Sequence, residues 1–151
     1  MKPMNMTQRV LLCLIAAITL VIWAQSLLPA NQSLDQSDTV GSWLAALLGD
    51  GPVGRFLVDN IRAVAHFAEF GVLGLVWGIF AHVRLPRPGS WPLVPGVVTA
   101  VVDELLQLGS VGRAAQLTDV LLDSAGYIAG WLAVVLVVQL WRLRRKKTCN
   151  F

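Results

Sequence analysis

A chain of 151 residues that is 56% hydrophobic and only 14% charged, with a mean hydropathy of +0.65, is too apolar for a water-soluble domain of its size. It reads as a single integral membrane domain, residues 1–151. The net charge of +3 sits mainly in one tail without interleaved aromatics, which argues against a nucleic-acid partner, and Cys13 and Cys149 stand at different depths without metal or redox spacing, so no disulfide is expected.

Four apolar stretches are long enough to cross a bilayer, in which a helix needs roughly 20 residues: about Val10 to Leu28, Ile61 to Val83, Leu93 to Leu108 and Leu117 to Leu140. Lys2 and Arg9 precede the first, and Ala24 lies among small or polar residues near its end. A cleaved signal peptide is therefore an alternative to a span, although the run is long for a signal core. Between the first two stretches, Pro29 to Asn60 forms an outer loop. Within it Asn31 to Asp38 is polar and acidic and is expected to be a loop, whereas Val40, Trp43, Leu44, Leu47 and Leu48 recur at helical spacing and predict a short interfacial helix, a re-entrant packing element or a lid. Gly51 and Pro52 end that helix and restart the chain. Asn31, Gln32 and Ser33 spell a glycosylation sequon, to which no weight is attached. The third stretch is short, and its polar end is expected in the interfacial zone or shielded by neighbours. After the fourth come Trp141 and the basic tail, residues 141–151, an interfacial anchor that also suits anionic lipid.

Orientation follows from the cations. With the N-terminus cytoplasmic, Lys2, Arg9, Arg84, Arg87, Arg142, Arg144, Arg145, Lys146 and Lys147 lie inside, and only Arg55, Arg62 and Arg113 outside. Both termini are thus expected in the cytoplasm.

This topology collects the polar residues near one side. Arg62, His66 and Glu69 fall on one face of the second helix, and Glu104 and Gln107 come late in the third. Arg113 is in the connecting loop, and Asp119 and Asp123 lie one turn apart at the start of the fourth helix. Ionisable groups inside membrane helices mark functional sites by default. The catalytic candidates are His66, Glu69, Glu104 and Asp119, with Gln107, Arg113 and Asp123 as ligand contacts. Asp103 points about a quarter turn away from Glu104 and is expected behind the site or at the lipid surface. His82, beside Arg84, is expected at the inner interface. Gly74 and Gly78, and Gly126 and Gly130, have the small-x-x-x-small spacing of close helix packing. A purely structural hydrogen-bond network would explain the polar residues only with an awkward surplus of acids over bases. Protonation, a bound cation or a metal-bridged ligand would relieve it. His66, Glu69, Glu104 and Asp119 are the weak metal candidates, suited to zinc or manganese, and a divalent cation is the one cofactor considered.

The run Arg62-Ala-Val-Ala-His66-Phe67-Ala-Glu69-Phe70-Gly71-Val-Leu-Gly74, then Asp103-Glu104-Leu-Leu-Gln107, Gly112-Arg113 and Asp119 with Gly126 and Gly130, resembles the VanZ-like family over roughly the last two thirds of the chain. His66, Glu69, Glu104, Gln107, Arg113 and Asp119 keep the family pattern. Phe70 stands where it commonly has tyrosine, Ala63 where it has lysine and Asp123 where it has asparagine, so roles that need that hydroxyl or that cation are not carried over. The resemblance implies an all-α bundle in a bacterial inner membrane, here with four spans, and a link to reduced susceptibility to teicoplanin-type glycopeptides, a phenotype more than a mechanism. The leading functional expectation is an outward-facing site that binds or modifies a cell-envelope lipid, with Arg113 on an anionic group and carboxylates on hydroxyls or a bridging cation. In an enzymatic version Glu104 and His66 are general base and acid. No serine or cysteine stands in a nucleophile arrangement. The alternatives are a proton- or ion-coupled transporter, which with four spans would need a homo-oligomer, and a structural packing network.

Overall fold

The computed structural model describes residues 3–49, 51–85 and 89–148. Lys2, Arg87 and Cys149, which enter the topology and disulfide expectations, lie outside the described residues. Among those described, all regular structure is helical: α1 Met6–Ser26, α2 Ala30–Leu48, α3 Pro52–Asp59, α4 Ile61–Arg84, α5 Leu93–Leu108 and α6 Leu117–Thr148. The three helices α1, α4 and α6 are long and apolar enough to cross a membrane. Helix α5 keeps the expected bounds, but its 16 residues rise only about 24 Å against a hydrocarbon core of about 30 Å.

Local chemistry explains most boundaries. Asn5 and Gln8 form a capping box at α1, the Asn5 side chain accepting from the Gln8 amide at 2.9 Å and the Gln8 side chain from the Asn5 amide at 3.2 Å. Pro52 occupies the first turn of α3, where its missing N–H is not needed. Leu85, which precedes a proline in the sequence, is extended and ends α4. Gly112 has φ of 78° in the turn that leads from α5 toward α6, a conformation that only glycine adopts readily.

The expected loop over Asn31 to Asp38 is corrected: α2 begins at Ala30 and runs through it. Hydroxyl side chains that favour turns in isolation here bond back onto the helix, Ser37 to the Ser33 carbonyl at 3.0 Å and Thr39 to the Asp35 carbonyl at 2.8 Å. The start is tied down by the Ala30 amide donating to the Val111 carbonyl at 3.1 Å. The helix expected to end near Leu140 continues through the basic tail to Thr148, with the Arg145 guanidinium 3.8 Å above the Trp141 ring.

Helix α4 packs chiefly on α6, and α1 and α5 flank this pair. Phe67 faces Gly126, Gly71 faces Gly130 and Gly78 faces Val134, so α4 and α6 run in the same direction. The Gln8 side chain donates to the Val83 carbonyl at 3.4 Å, and Trp23 Nε1 to the Thr99 carbonyl at 3.5 Å. Helix α1 is therefore antiparallel to α4 and parallel to α5. As a consequence the last turns of α1 and α5 meet the first turns of α4 and α6 at one end of the bundle. Below that end lies an apolar core that includes Ile15, Ile22, Phe70, Leu73, Phe80, Ala100 and Tyr127. The outer faces carry exposed Leu14, Val72, Ile79, Val101, Leu105, Leu132 and Leu136, a belt that suits acyl chains rather than water.

Candidate functional site

Close packing of α4 on α6 sets the site. A Cβ at Gly74 would overlap the Tyr127 carbonyl, one at Gly126 the Phe67 carbonyl and one at Gly130 the Gly71 carbonyl, while at Gly78 it would stand 3.0 Å from Val134 Cβ. All four glycines expected to pack helices do so. This contact brings His66 on α4 against Asp123 on α6, His66 Nδ1 lying 3.3 Å from Asp123 Oδ1. The pair is at ion-pair distance but not aligned for a hydrogen bond. Both Asp123 oxygens and His66 Nδ1 are buried without a hydrogen-bond partner, and Asp123 is 0% exposed.

On the facing side, Asp103 of α5 is also 0% exposed. Its Oδ1 accepts from the Ser26 hydroxyl at the end of α1, and its Oδ2 from Gln107 Nε2 at 3.1 Å. The same Gln107 nitrogen lies 3.1 Å from Glu104 Oε1, and Gln107 Oε1 accepts from Arg62 of α4 at 3.1 Å. Glu104 Oε2 accepts from the Gln116 amide at 2.8 Å, which ties α5 to the segment entering α6. Gln107 thus uses its amide as a two-sided connector, oxygen toward a cation and nitrogen toward carboxylates.

The expected position of Asp103, behind Glu104 or toward lipid, is corrected by this arrangement. Helix α5 is contacted by α1 on one side and α6 on another, so adjacent residues can both face protein. Asp103 joins His66 and Asp123 in a group whose ligand-capable atoms lie within 4.8 Å of one another. Of the expected metal candidates only His66 belongs to that group. Glu104 is engaged by Gln107 and the Gln116 amide. Glu69 lines a cavity of about 580 Å³ with Gln25, Asp35, Ser37, Arg62 and His66. Asp119 is half-buried, 3.5 Å from the Thr118 hydroxyl, and lines a second cavity of about 490 Å³ that shares Arg62 and His66 with the first.

Arg113 is half-buried in the loop after α5, and its Nε is buried without a partner. Burial and the neighbouring Arg62 hold its guanidinium below the ordinary value, opposed by Asp103 and Glu104. It stays cationic at neutral pH, since arginine does not deprotonate in proteins. At the far end His82 Nδ1 lies 2.9 Å from the Gly78 carbonyl and takes no part. Sequence reasoning missed Ser26 and the cavity wall that Ser33, Asp35 and Ser37 supply from the segment expected to be a loop. The polar pair Gln25-Ser26, closing an otherwise apolar run, was the available signal.

The VanZ/LLP1 family model matches residues 10–139. The chain belongs to the VanZ-like family. The match covers α1 through most of α6, hence all the helices that build the polar end. Among individual proteins, the chain is 34% identical over 93 residues to a chain from Azospirillum brasilense named DNA translocase FtsK, a match that covers 62% of this chain but 14% of that one. No solved structure matches this VanZ-like chain.

Proposed function

We propose that this VanZ-like protein binds or modifies a cell-envelope lipid through its headgroup, at an outward-facing site at the polar end of the bundle. The observation that carries the reading is the cavity of about 580 Å³ where Arg62, His66 and Glu69 of α4 face Asp35 and Ser37 of α2. A cation, an imidazole, carboxylates and a hydroxyl in one recess match a headgroup with both an anionic group and hydroxyls. Arg62 is the anion contact in this cavity, which Arg113 does not line, and Glu69 and Asp35 are the hydroxyl acceptors. The exposed apolar belt gives acyl chains a place to lie while the headgroup enters.

In this reading α5 completes four crossings, its short length offset by the neighbours that cover it, and the distribution of cations along the sequence supports both termini in the cytoplasm of a bacterium, with the site facing outward. Helix α2, with Val40, Trp43 and Leu47 exposed, lies in the outer interface and walls the cavity. A link to glycopeptide susceptibility would follow if the bound lipid is an envelope precursor. In a catalytic version Glu104 and His66 are the general base and acid. Two features weigh against the alternatives. Deeper than the polar group stand Phe70 and Leu73, fully buried, and Tyr127, whose buried hydroxyl is committed to the Pro92 carbonyl, so they offer no free polar group for transport. A network serving packing alone would satisfy its buried oxygens, whereas Asp123 has two without partners.

The test is native mass spectrometry of gently extracted protein, wild type against Glu69→Gln and Arg62→Ala, two residues that line the cavity, each checked for helicity and monodispersity. An anionic lipid adduct retained by the wild type and lost from both folded variants is the expected result. Absence of any specific lipid adduct from the wild type would overturn the proposal.

A further inference from the structure

The group formed by His66, Asp103 and Asp123 has more negative charge than its neighbours answer. Asp103 is served by neutral donors, Ser26 and Gln107, and Arg62 is directed to the Gln107 oxygen. Asp123 has no hydrogen-bond donor at either oxygen although it is 0% exposed, and the imidazole nitrogen facing it is equally unpartnered. With both acids ionised, a protonated His66 would leave a net charge of −1 in the group. A divalent cation bound by a neutral imidazole and two carboxylates would leave none, and would occupy the orphaned atoms.

We propose that His66, Asp103 and Asp123 bind one divalent first-row transition-metal ion. Three ligand-capable atoms within 4.8 Å of one another, supplied by three different helices, are a set that such an ion can close with modest adjustment of side chains. One imidazole with two carboxylates suits zinc or manganese better than magnesium, which prefers oxygen and keeps its water. Gln107 orients Asp103 through Oδ2, and Ser26 does so through Oδ1. Such outer partners fix a ligand's orientation. Three protein ligands leave positions on the ion for water or for a ligand oxygen. Since His66 also lines both cavities, the ion lies where it can reach a phosphate oxygen of a bound headgroup. That last clause rests on the function proposed above, and the metal site does not.

The experiment uses the full chain in lipid nanodiscs, stripped with chelator, loaded with Mn²⁺ or Zn²⁺ and desalted, with metal content measured by plasma mass spectrometry and Mn²⁺ followed by electron paramagnetic resonance. The wild type is expected to retain about one ion per chain. Asp123→Asn, which keeps the shape and removes a charge, is expected to bind at least about tenfold more weakly, as is Gln107→Ala, since loss of even an outer partner weakens metal sites by that much. His66→Gln is the second ligand variant should Asp123→Asn fail to fold. A folded wild type that retains no ion, or retention undiminished in a folded Asp123→Asn or His66→Gln protein, would overturn the site. Lipid adducts are read from the same preparations. An ion lost with the ligand variants while the wild type shows no lipid adduct would uphold the metal site and overturn the lipid reading, and lipid retained by a wild type that takes up no ion would do the reverse.

Discussion

Two stretches of the same helix pair behave in opposite ways. Where α4 and α6 cross at Gly74 and Gly130, backbones meet with no room for a methyl group, and Gly78 sits tightly against the Val134 side chain. One or two turns away, at His66 and Asp123, the same pair presents buried polar atoms without partners. The packed stretch is satisfied and specific, as membrane helices without a hydrophobic driving force between them require. The polar stretch is unsatisfied, and its geometry is held by the packing beside it. The glycine seam is therefore an indirect part of the site: it sets the spacing that brings the His66 imidazole against the Asp123 carboxylate.

The largest effect is expected from breaking the seam. Gly74→Ala or Gly130→Ala drives a Cβ into backbone that cannot rotate away, and each should lower stability by about 3 kcal/mol, read from unfolding in a mixed detergent titration. Gly71→Ala is the matched control. A Cβ there would stand 3.6 Å from the Gly126 carbonyl, an ordinary contact, so the change should be within about 1 kcal/mol and can be favourable through helix propensity. Equal losses at Gly71 and Gly74 would refute the close-crossing geometry.

Next in size are changes to the partners of buried groups. Ser26→Ala takes away one donor to Asp103, with an expected cost of about 1–3 kcal/mol. The same substitution tests whether α1 belongs to the mature bundle, because a protein from which α1 had been cleaved would not feel it. Tyr127→Phe strips the Pro92 carbonyl of a donor now at 2.5 Å and should cost about 1 kcal/mol or more. Its ring, which fills the space over Gly96, is kept, so the loss should appear in stability and not in lipid or metal uptake.

Much of this was legible in the sequence. The lengths and hydropathy showed the apolar helices, the glycine spacing showed the seam, and the positions of His66, Gln107 and Asp123 along their helices showed which end would be polar. What was not legible depended on neighbours. Residues Asn31 to Asp38 have turn-forming side chains, and only the hydroxyls that bond back onto α2 and the anchor at Val111 decide for a helix. Asp103 was set apart from Glu104 by helical angle, an argument that fails when a helix is enclosed on more than one side. Ser26 carried no charge and no motif, and its importance appears only once α1 is known to lie parallel to α5.

The smallest effect is expected at Asp119. Asp119 and Asp123 are the same residue type one turn apart on α6, and the sequence favours Asp119, a catalytic and metal candidate that keeps the family pattern, over Asp123, a ligand contact that departs from it. The structure separates them by surroundings: Asp123 is enclosed with His66 and Asp103, whereas Asp119 is half-buried at the rim of a cavity with a hydroxyl beside it. Neutralising an aspartate that water reaches removes little, so Asp119→Asn should change stability by no more than about 0.5 kcal/mol and leave the retained ion at one per chain. Neutralising Asp123 removes a carboxylate that has no water to replace what it binds, and the ion should go with it. If both substitutions reduced metal content alike, the charge of the α6 end as a whole would be what attracts the cation, and the enclosed trio would lose its claim to be a site.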